Sequence, residues 1–204
     1  MSQIKNKTID KIDFKKLRIK PFLCKDMSVK FSDKEYIECD EECIKDHPRF
    51  GYLQLYLNKD PKLLITTPVM KCLFGVQKSG SNFNMSLQFT NVKGDENMKY
   101  FYDFIQEMEF LCMKQLGLTK EDASNFISQI KHDKNNKYDP NLNVKIPFHK
   151  NMFQTDIYCE NSSGLNIFNI QNFTNMKCDI YLDKIWKMND KFYAKWKCSY
   201  IHIV

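Results

Sequence analysis

The sequence predicts a mainly β chain with helices, an α+β protein of 204 residues. Two patterns predict it. In residues 51–57, Leu53, Leu55 and Leu57 alternate with Tyr52, Gln54 and Tyr56; in residues 82–89, Phe83, Met85, Leu87 and Phe89 alternate with Asn82, Asn84, Ser86 and Gln88. A strict period of two sends one face to a core and the other to water, as a strand does. From residue 100 the period changes. Tyr100, Phe101, Phe104, Ile105, Met108, Leu111 and Cys112 recur at mostly helical spacing, so one apolar stripe faces the same core.

Residues 1–50 read as an N-terminal extension packed on or flanking a single domain over residues 51–204. Residues 1–11 are polar. Leu17, Arg18 and Ile19 can form a short strand whose length Pro21 limits, and residues 28–31 suit another. Residues 33–49 are acidic, with turn or short-helix character. Cys39, Cys43 and His47 stand four apart there, which would set three ligand-capable groups on one helical face. Structural zinc takes four ligands, no fourth stands nearby, and no metal is expected.

Residues 51–91 read as a meander of at least three antiparallel strands, punctuated by the turn signals NKDP at 58–61 and SGSN at 79–82. Asp95 is placed to cap a helix over residues 96–116, which Gly117 ends. A second helix is expected over residues 119–131, with Thr119 as its cap, Glu121 and Asp122 in its first turn and Phe126, Ile127 and Ile130 on its buried side. Residues 132–143 are a polar loop. Residues 144–148 and 153–159 are strand-like, and residues 167–173 are a short strand or a loop. Residues 178–187 and 192–204 close the chain as a hairpin turning at Met188, Asn189 and Asp190, so the C-terminus is expected to be tied into the sheet.

Charge is segmented. The net charge is +6, and no acid occurs between residues 61 and 94, whereas residues 95–130 carry a net −4. That split suits one surface facing a polyanion and one solvated back. The eight cysteines are scattered, several inside apolar runs, which suits reduced, buried thiols in a reducing compartment. The first residues are polar and charged, and no apolar run approaches the roughly 20 residues that span a bilayer, so a soluble protein is expected.

No phosphate-loop, dinucleotide, nucleophile-elbow or zinc-protease motif is present, and His47, His132, His149 and His202 are far apart in sequence. No catalysis and no cofactor are expected. What the chain does offer is aromatic residues interleaved with lysines. Toward the C-terminus Tyr193, Lys195, Lys197 and Ser199 share one face, and Ala194, Trp196, Cys198 and Tyr200 share the other. Trp196 therefore reads as core. Trp186 shares a face with Ile180 and Leu182 and reads either as core or as a stacking residue. Lysines can track a phosphate backbone while aromatic faces stack on bases, the parts of a sequence-tolerant single-strand groove.

Residues 64–76 read LITTPVMKCLFGV. This string resembles the "TP-x-M…FG" signature of the single-stranded-DNA-binding-like proteins of nucleocytoplasmic large DNA viruses. The order of elements from residue 51 to residue 204, a Tyr138-x-Pro140 loop and the ending from Ile185-Trp186 through Trp196-Lys197 to Ile203-Val204 resemble that family as well. The resemblance implies an OB-like antiparallel β-barrel, here with a helix pair inserted after the first meander. Pro68 would then sit at a strand edge or bend, and Gly75 at a bulge or close approach.

The resemblance also implies non-catalytic binding of single-stranded DNA in viral replication and recombination. Its partners would be viral replication proteins or further copies of the chain, with no membrane, in the host cytoplasm or a viral replication compartment. The phage relatives of that family end in an acidic tail, whereas this chain ends on IHIV, so recruitment of partners by such a tail is not carried over. On this reading Lys71, Lys78, Lys145, Lys150, Lys195 and Lys197 meet phosphate, and Tyr52, Tyr56, Tyr138 and Trp186 stack. Two other readings compete with it: a protein-binding scaffold that uses the sheet edge or the aromatic surface, and an enzyme with an unrecognised site.

Overall fold

The computed structural model describes residues 17–19, 22–24, 37–39, 50–57, 62–160 and 164–204. The elements are β1 (Leu17–Ile19), β2 (Phe22–Cys24), β3 (Ile37–Cys39), β4 (Phe50–Leu57), β5 (Leu63–Thr66), β6 (Met70–Ser79), β7 (Asn82–Gln88), α1 (Glu96–Gln115), β8 (Ile130–Lys131), β9 (Asn141–Ile146), β10 (Phe148–His149), β11 (Met152–Phe153), β12 (Asp156–Cys159), β13 (Thr174–Leu182), β14 (Lys184–Met188), β15 (Lys191–Tyr193) and β16 (Lys197–Ile203).

Five strands close into a barrel. β6 pairs with β7, β7 with β9, β13 with β6 and β13 with β16, and the ring shuts where Lys197 of β16 stands parallel to Lys145 of β9. The backbone N–H of Lys145 donates to the Trp196 carbonyl at 2.8 Å across that seam. Closure leaves these five strands without an open edge along the seam, which removes the liability of unpaired backbone groups. A second sheet runs β15-β14-β4-β2-β3, with β1 also on β4.

The strand patterning of residues 51–89 is borne out, but its pairing is not. β6 and β7 form the expected hairpin around Gly80, whereas β4 pairs with β14, β2 and β1, and β5 pairs with β13. The expected meander is thus divided between two sheets. The division falls between β4 and β5; Thr67 and Pro68 separate β5 from β6, which both pair with β13. Thr67 N–H donates to the Cys178 carbonyl at 2.8 Å, its hydroxyl accepts from Cys178 N–H at 3.0 Å, and β5 ends before Pro68. Gly75 has φ +61 and sits where the β6–β7 register slips between Cys72 and Val76; a Cβ on it would lie 2.5 Å from the Ile170 carbonyl oxygen. Both residues therefore occupy the kinds of position the resemblance implied.

The helix follows its sequence signals. The Asp95 carboxylate accepts from Asn97 and Met98 N–H, and Gly117 takes φ 65 just past the end. Its buried stripe meets the barrel core where Phe89 lies 5.8 Å from Phe101, ring to ring, and Trp196 lies 6.4 Å from Phe104. The helix thereby covers the barrel at the end where β7 finishes.

The expected second helix over 119–131 does not form. Residues 122–125 make one 3-10 turn, Phe126 is extended, and β8 pairs with β9. The Ile127 N–H is taken by the Phe192 carbonyl at 2.8 Å. Of the expected Thr119 cap only a turn hydrogen bond remains, its hydroxyl accepting from Asp122 N–H at 3.3 Å, while the 3-10 turn itself is preceded by Glu121 with no side-chain cap. Thr, Ser and Asn are weak helix formers, and here neighbouring strands capture the backbone before a second turn can propagate. Glu109, buried on α1, fixes the return by accepting from Gln129 N–H at 2.7 Å, and burial pushes its carboxyl above the ordinary range.

Among the described residues no helix is long and apolar enough to cross a membrane, and no three His, Cys, Asp or Glu side chains could hold a metal. Cys39 ends a strand, which removes it from a helical face, while Cys43, His47 and the expected strand at 28–31 lie outside the described residues. Cys72, Cys112, Cys159, Cys178 and Cys198 are free thiols; burial drives Cys72 up to about 11 and Cys112 to about 12.

Candidate functional site

The site forms where the chain passes from the barrel to the second sheet. Along β13 the core residues are Met176, Cys178, Ile180 and Leu182, whereas along β14 they are Ile185 and Lys187. The alternation skips one residue at Asp183. Its carbonyl accepts from Leu55 N–H at 2.8 Å and from Gln54 Nε2 at 2.9 Å, so the strand re-registers on β4. This skip turns Trp186 outward and Lys187 inward. Trp186 therefore does not share a face with Ile180 and Leu182, because the period of two is broken between them. Trp196 is core, 1% exposed.

Three aromatic residues then line up across the second sheet. Trp186 stands opposite Tyr52 on β4 and opposite Tyr193 on β15. All three are half-buried on the same face, and the Tyr52 and Trp186 rings are 5.2 Å apart. Lys184 Nζ lies 4.1 Å from the Tyr52 ring centroid and 5.9 Å from that of Trp186. Lys195 Nζ lies 5.1 Å from the Tyr193 ring. The row is thus a π-surface held between two ammonium groups, and the opposite face of the same strands (Leu53, Leu55, Ile185, Phe192) is buried.

Lys195 joins this row to a basic cluster on the barrel wall. Lys145 and Lys197 face out side by side at the parallel seam, with Asn84 beside Lys145 and Tyr181 beside Lys197. Burial first, and then the charges of Lys195 and Lys197, hold the Lys145 ammonium below the usual lysine range, while Asp183 works against that shift. Lys197 Nζ is 2.8 Å from both Asp183 carboxylate oxygens. Lys62 and Lys197 stand over the Tyr181 ring at 4.9 and 5.6 Å. Burial and the Asp183 charge push the Tyr181 hydroxyl up to about 12, so it stays a neutral donor. Three crowded lysines with a single carboxylate between them create a local excess of positive charge, which attracts an anion strongly at the rim of a low-dielectric surface.

A comparison with protein-family models and with curated proteins finds no match.

Of the residues the sequence put forward, Tyr52, Trp186, Lys145, Lys195 and Lys197 come together here. Tyr56 lies in β4, and its side chain is outside the described residues. Lys71 is elsewhere on the barrel, opposite Gln88 of β7 and Asn175 of β13. Tyr138 is exposed on the loop before β9, with Lys137 Nζ 5.3 Å from its ring. Lys78 and Lys150 are exposed, beside the β6–β7 turn and in the β10–β11 turn.

Tyr193, Tyr181, Lys184 and Lys62 were not among the candidates. Two of them had a signal. Counting back from the turn at Asn189 sets Tyr193 opposite Trp186, and Lys184 shares the face of Trp186 by simple alternation. Lys62 and Tyr181 had none, since β5 reaches β13 across more than a hundred residues of chain.

Proposed function

We propose that the protein binds single-stranded DNA without sequence preference and without catalysis, through an OB-type barrel. The observation that carries this is the Tyr193–Trp186–Tyr52 row joined through Lys195 to Lys145 and Lys197. Bases stack on aromatic faces whatever their identity, and lysines beside the row take the phosphates between them. The barrel circuit supports the OB reading. An OB barrel is a five-stranded Greek key that binds oligonucleotides on its second and third strands and on the loops joining strands one to two and four to five. In chain order those parts are β7 and β9, the β6–β7 turn, and the excursion between β13 and β16. Lys145 lies on β9, and the excursion holds Lys184, Trp186, Tyr193 and Lys195. On this reading the role is to coat and protect single strands during replication and recombination of a large DNA virus, as the resemblance implied.

Fluorescence anisotropy of a labelled oligothymidine tests it, at low and moderate salt with duplex DNA of equal length as competitor. The expected outcome is binding that weakens with salt and resists the duplex. Absence of binding at low salt, where charge attraction is greatest, would overturn the proposal and leave the scaffold reading. One observation favours that second reading: β12 is an edge strand carrying exposed Tyr158, and a partner strand could pair with it.

A further inference from the structure

The end of the barrel opposite the helix carries its own aromatic cluster. Phe83, the first inward residue of β7, is buried, with ring centroids 5.0 Å from Phe148, 4.9 Å from Phe153 and 5.9 Å from Phe168. Two of these rings are open to solvent: Phe148 is 38% and Phe168 60% exposed. They are held there by structure. Phe148 starts the β10–β11 hairpin, pairing with Phe153. Phe168 sits on a 3-10 turn (Ile167–Asn169) anchored by the buried Ile167, and Asn166 accepts from Phe168 N–H at 2.8 Å while Asn169 Oδ1 accepts from Asn166 N–H at 2.8 Å. Each ring packs on Phe83 and leaves the rest of its surface to water, and exposed aromatic surface of this kind marks an interaction site.

The charge around them says what they face. Lys78 Nζ lies 5.8 Å from the Phe83 ring, and Lys150 is exposed in the hairpin turn. Residues 70–88, 143–155 and 164–178, which carry the strands and turns around this end, contain no Asp or Glu. Apolar rings set among lysines and amides, without a single acid, fit a polyanion that also offers flat apolar faces. Lys145 is three residues from Phe148 along extended chain, about 10 Å, or one to two nucleotides of an extended strand.

We propose that Phe148 and Phe168, flanked by Lys78 and Lys150, form a second base-stacking subsite for single-stranded nucleic acid, reached across Lys145 from the Tyr52–Trp186–Tyr193 row. It rests on the single-strand reading and deepens it: one strand runs from the second sheet over the barrel seam to the barrel mouth, so binding strength grows with strand length until both aromatic surfaces are covered.

The test compares oligothymidines of about 4 and about 16 nucleotides, the range one OB fold occupies, on the full chain and on a Phe148→Leu/Phe168→Leu variant. The variant keeps apolar bulk against Phe83 and removes the π-faces. The longer strand is expected to bind the variant about tenfold or more weakly than wild type, as loss of stacked bases does. The short strand should bind both proteins alike and quench Trp186 equally. Unchanged affinity for the longer strand, with wild type binding it, overturns this subsite and leaves the first one standing. Failure of wild type to bind either length overturns the single-strand reading itself, and the subsite with it. A Lys78→Gln/Lys150→Gln variant, which touches only exposed side chains, supplies a second arm. Its salt slope for the longer strand should fall by about 1.4, two phosphate contacts at the single-strand coefficient, and an unchanged slope overturns the proposal.

Discussion

Asp183 is the residue on which the site turns. Its carbonyl re-registers the chain on β4, and its carboxylate holds Lys197 beside Lys145. The lysine crowding that follows has a pH consequence. Burial and two neighbouring ammonium groups depress the Lys145 pKa, so Lys145 loses its proton at a lower pH than an isolated lysine and then no longer attracts phosphate. A bound phosphate favours the charged form, so binding on the alkaline side is linked to proton uptake. Lys145→Arg, always charged, is therefore expected to flatten the alkaline fall in oligothymidine affinity seen with wild type, measured by anisotropy across that range. An identical fall in both proteins would remove Lys145 from the contact. Gly75 makes a purely structural claim. Its positive φ and the 2.5 Å approach to the Ile170 carbonyl mean that Gly75→Ala should destabilise by more than about 1 kcal/mol, read as a lower urea midpoint.

Among the elements, the closing hairpin shows how one strand serves two sheets. Its outer half, β14 with β15, lies on β4, and its inner half, β13 with β16, is barrel wall. The two tryptophans fall on opposite sides of that division. Trp196→Ala should cost about 3–5 kcal/mol, the range for deleting a fully buried aromatic. Trp186→Ala should cost much less in stability while weakening oligothymidine binding about tenfold. Thermal melts and anisotropy on the same two proteins separate the roles, and equal destabilisation by both would place Trp186 in the core. α1 was legible because its apolar stripe, cap and terminal glycine agree. The stretch over 119–131 was not, since Phe192, more than sixty residues on, takes the hydrogen bond of Ile127 N–H that a helix would have used.

The whole molecule divides its charge. The strands between residues 62 and 94 carry no acid, while α1 and its neighbours carry the negative excess, so on the proposed single-strand reading a polyanion would be steered to the barrel and away from the helix. Single lysines should register unequally in the salt dependence of binding. Lys195→Ala should lower the slope by about 0.7, one phosphate contact on a single strand. Lys197→Ala should lower it by less, because its ammonium already lies against the Asp183 carboxylate. Equal decreases would mean that Asp183 does not engage Lys197 when the strand is bound.

The alternating runs, the helix with both its ends, the hairpin turn at Gly80 and the burial of Trp196 could all be read from the chain, because each depends on side-chain periodicity or on turn chemistry within a few residues. The partners of β4 and β5, the parallel seam at Lys145 and Lys197 and the outward turn of Trp186 could not. Each depends on which distant strand supplies the missing backbone hydrogen bonds, and a one-residue skip at Asp183 exchanges the two faces of β14. The aromatic row exists because β14 pairs with β4 and β15, and the lysine cluster because barrel closure sets Lys145 beside Lys197; local pattern carries no record of that long-range pairing.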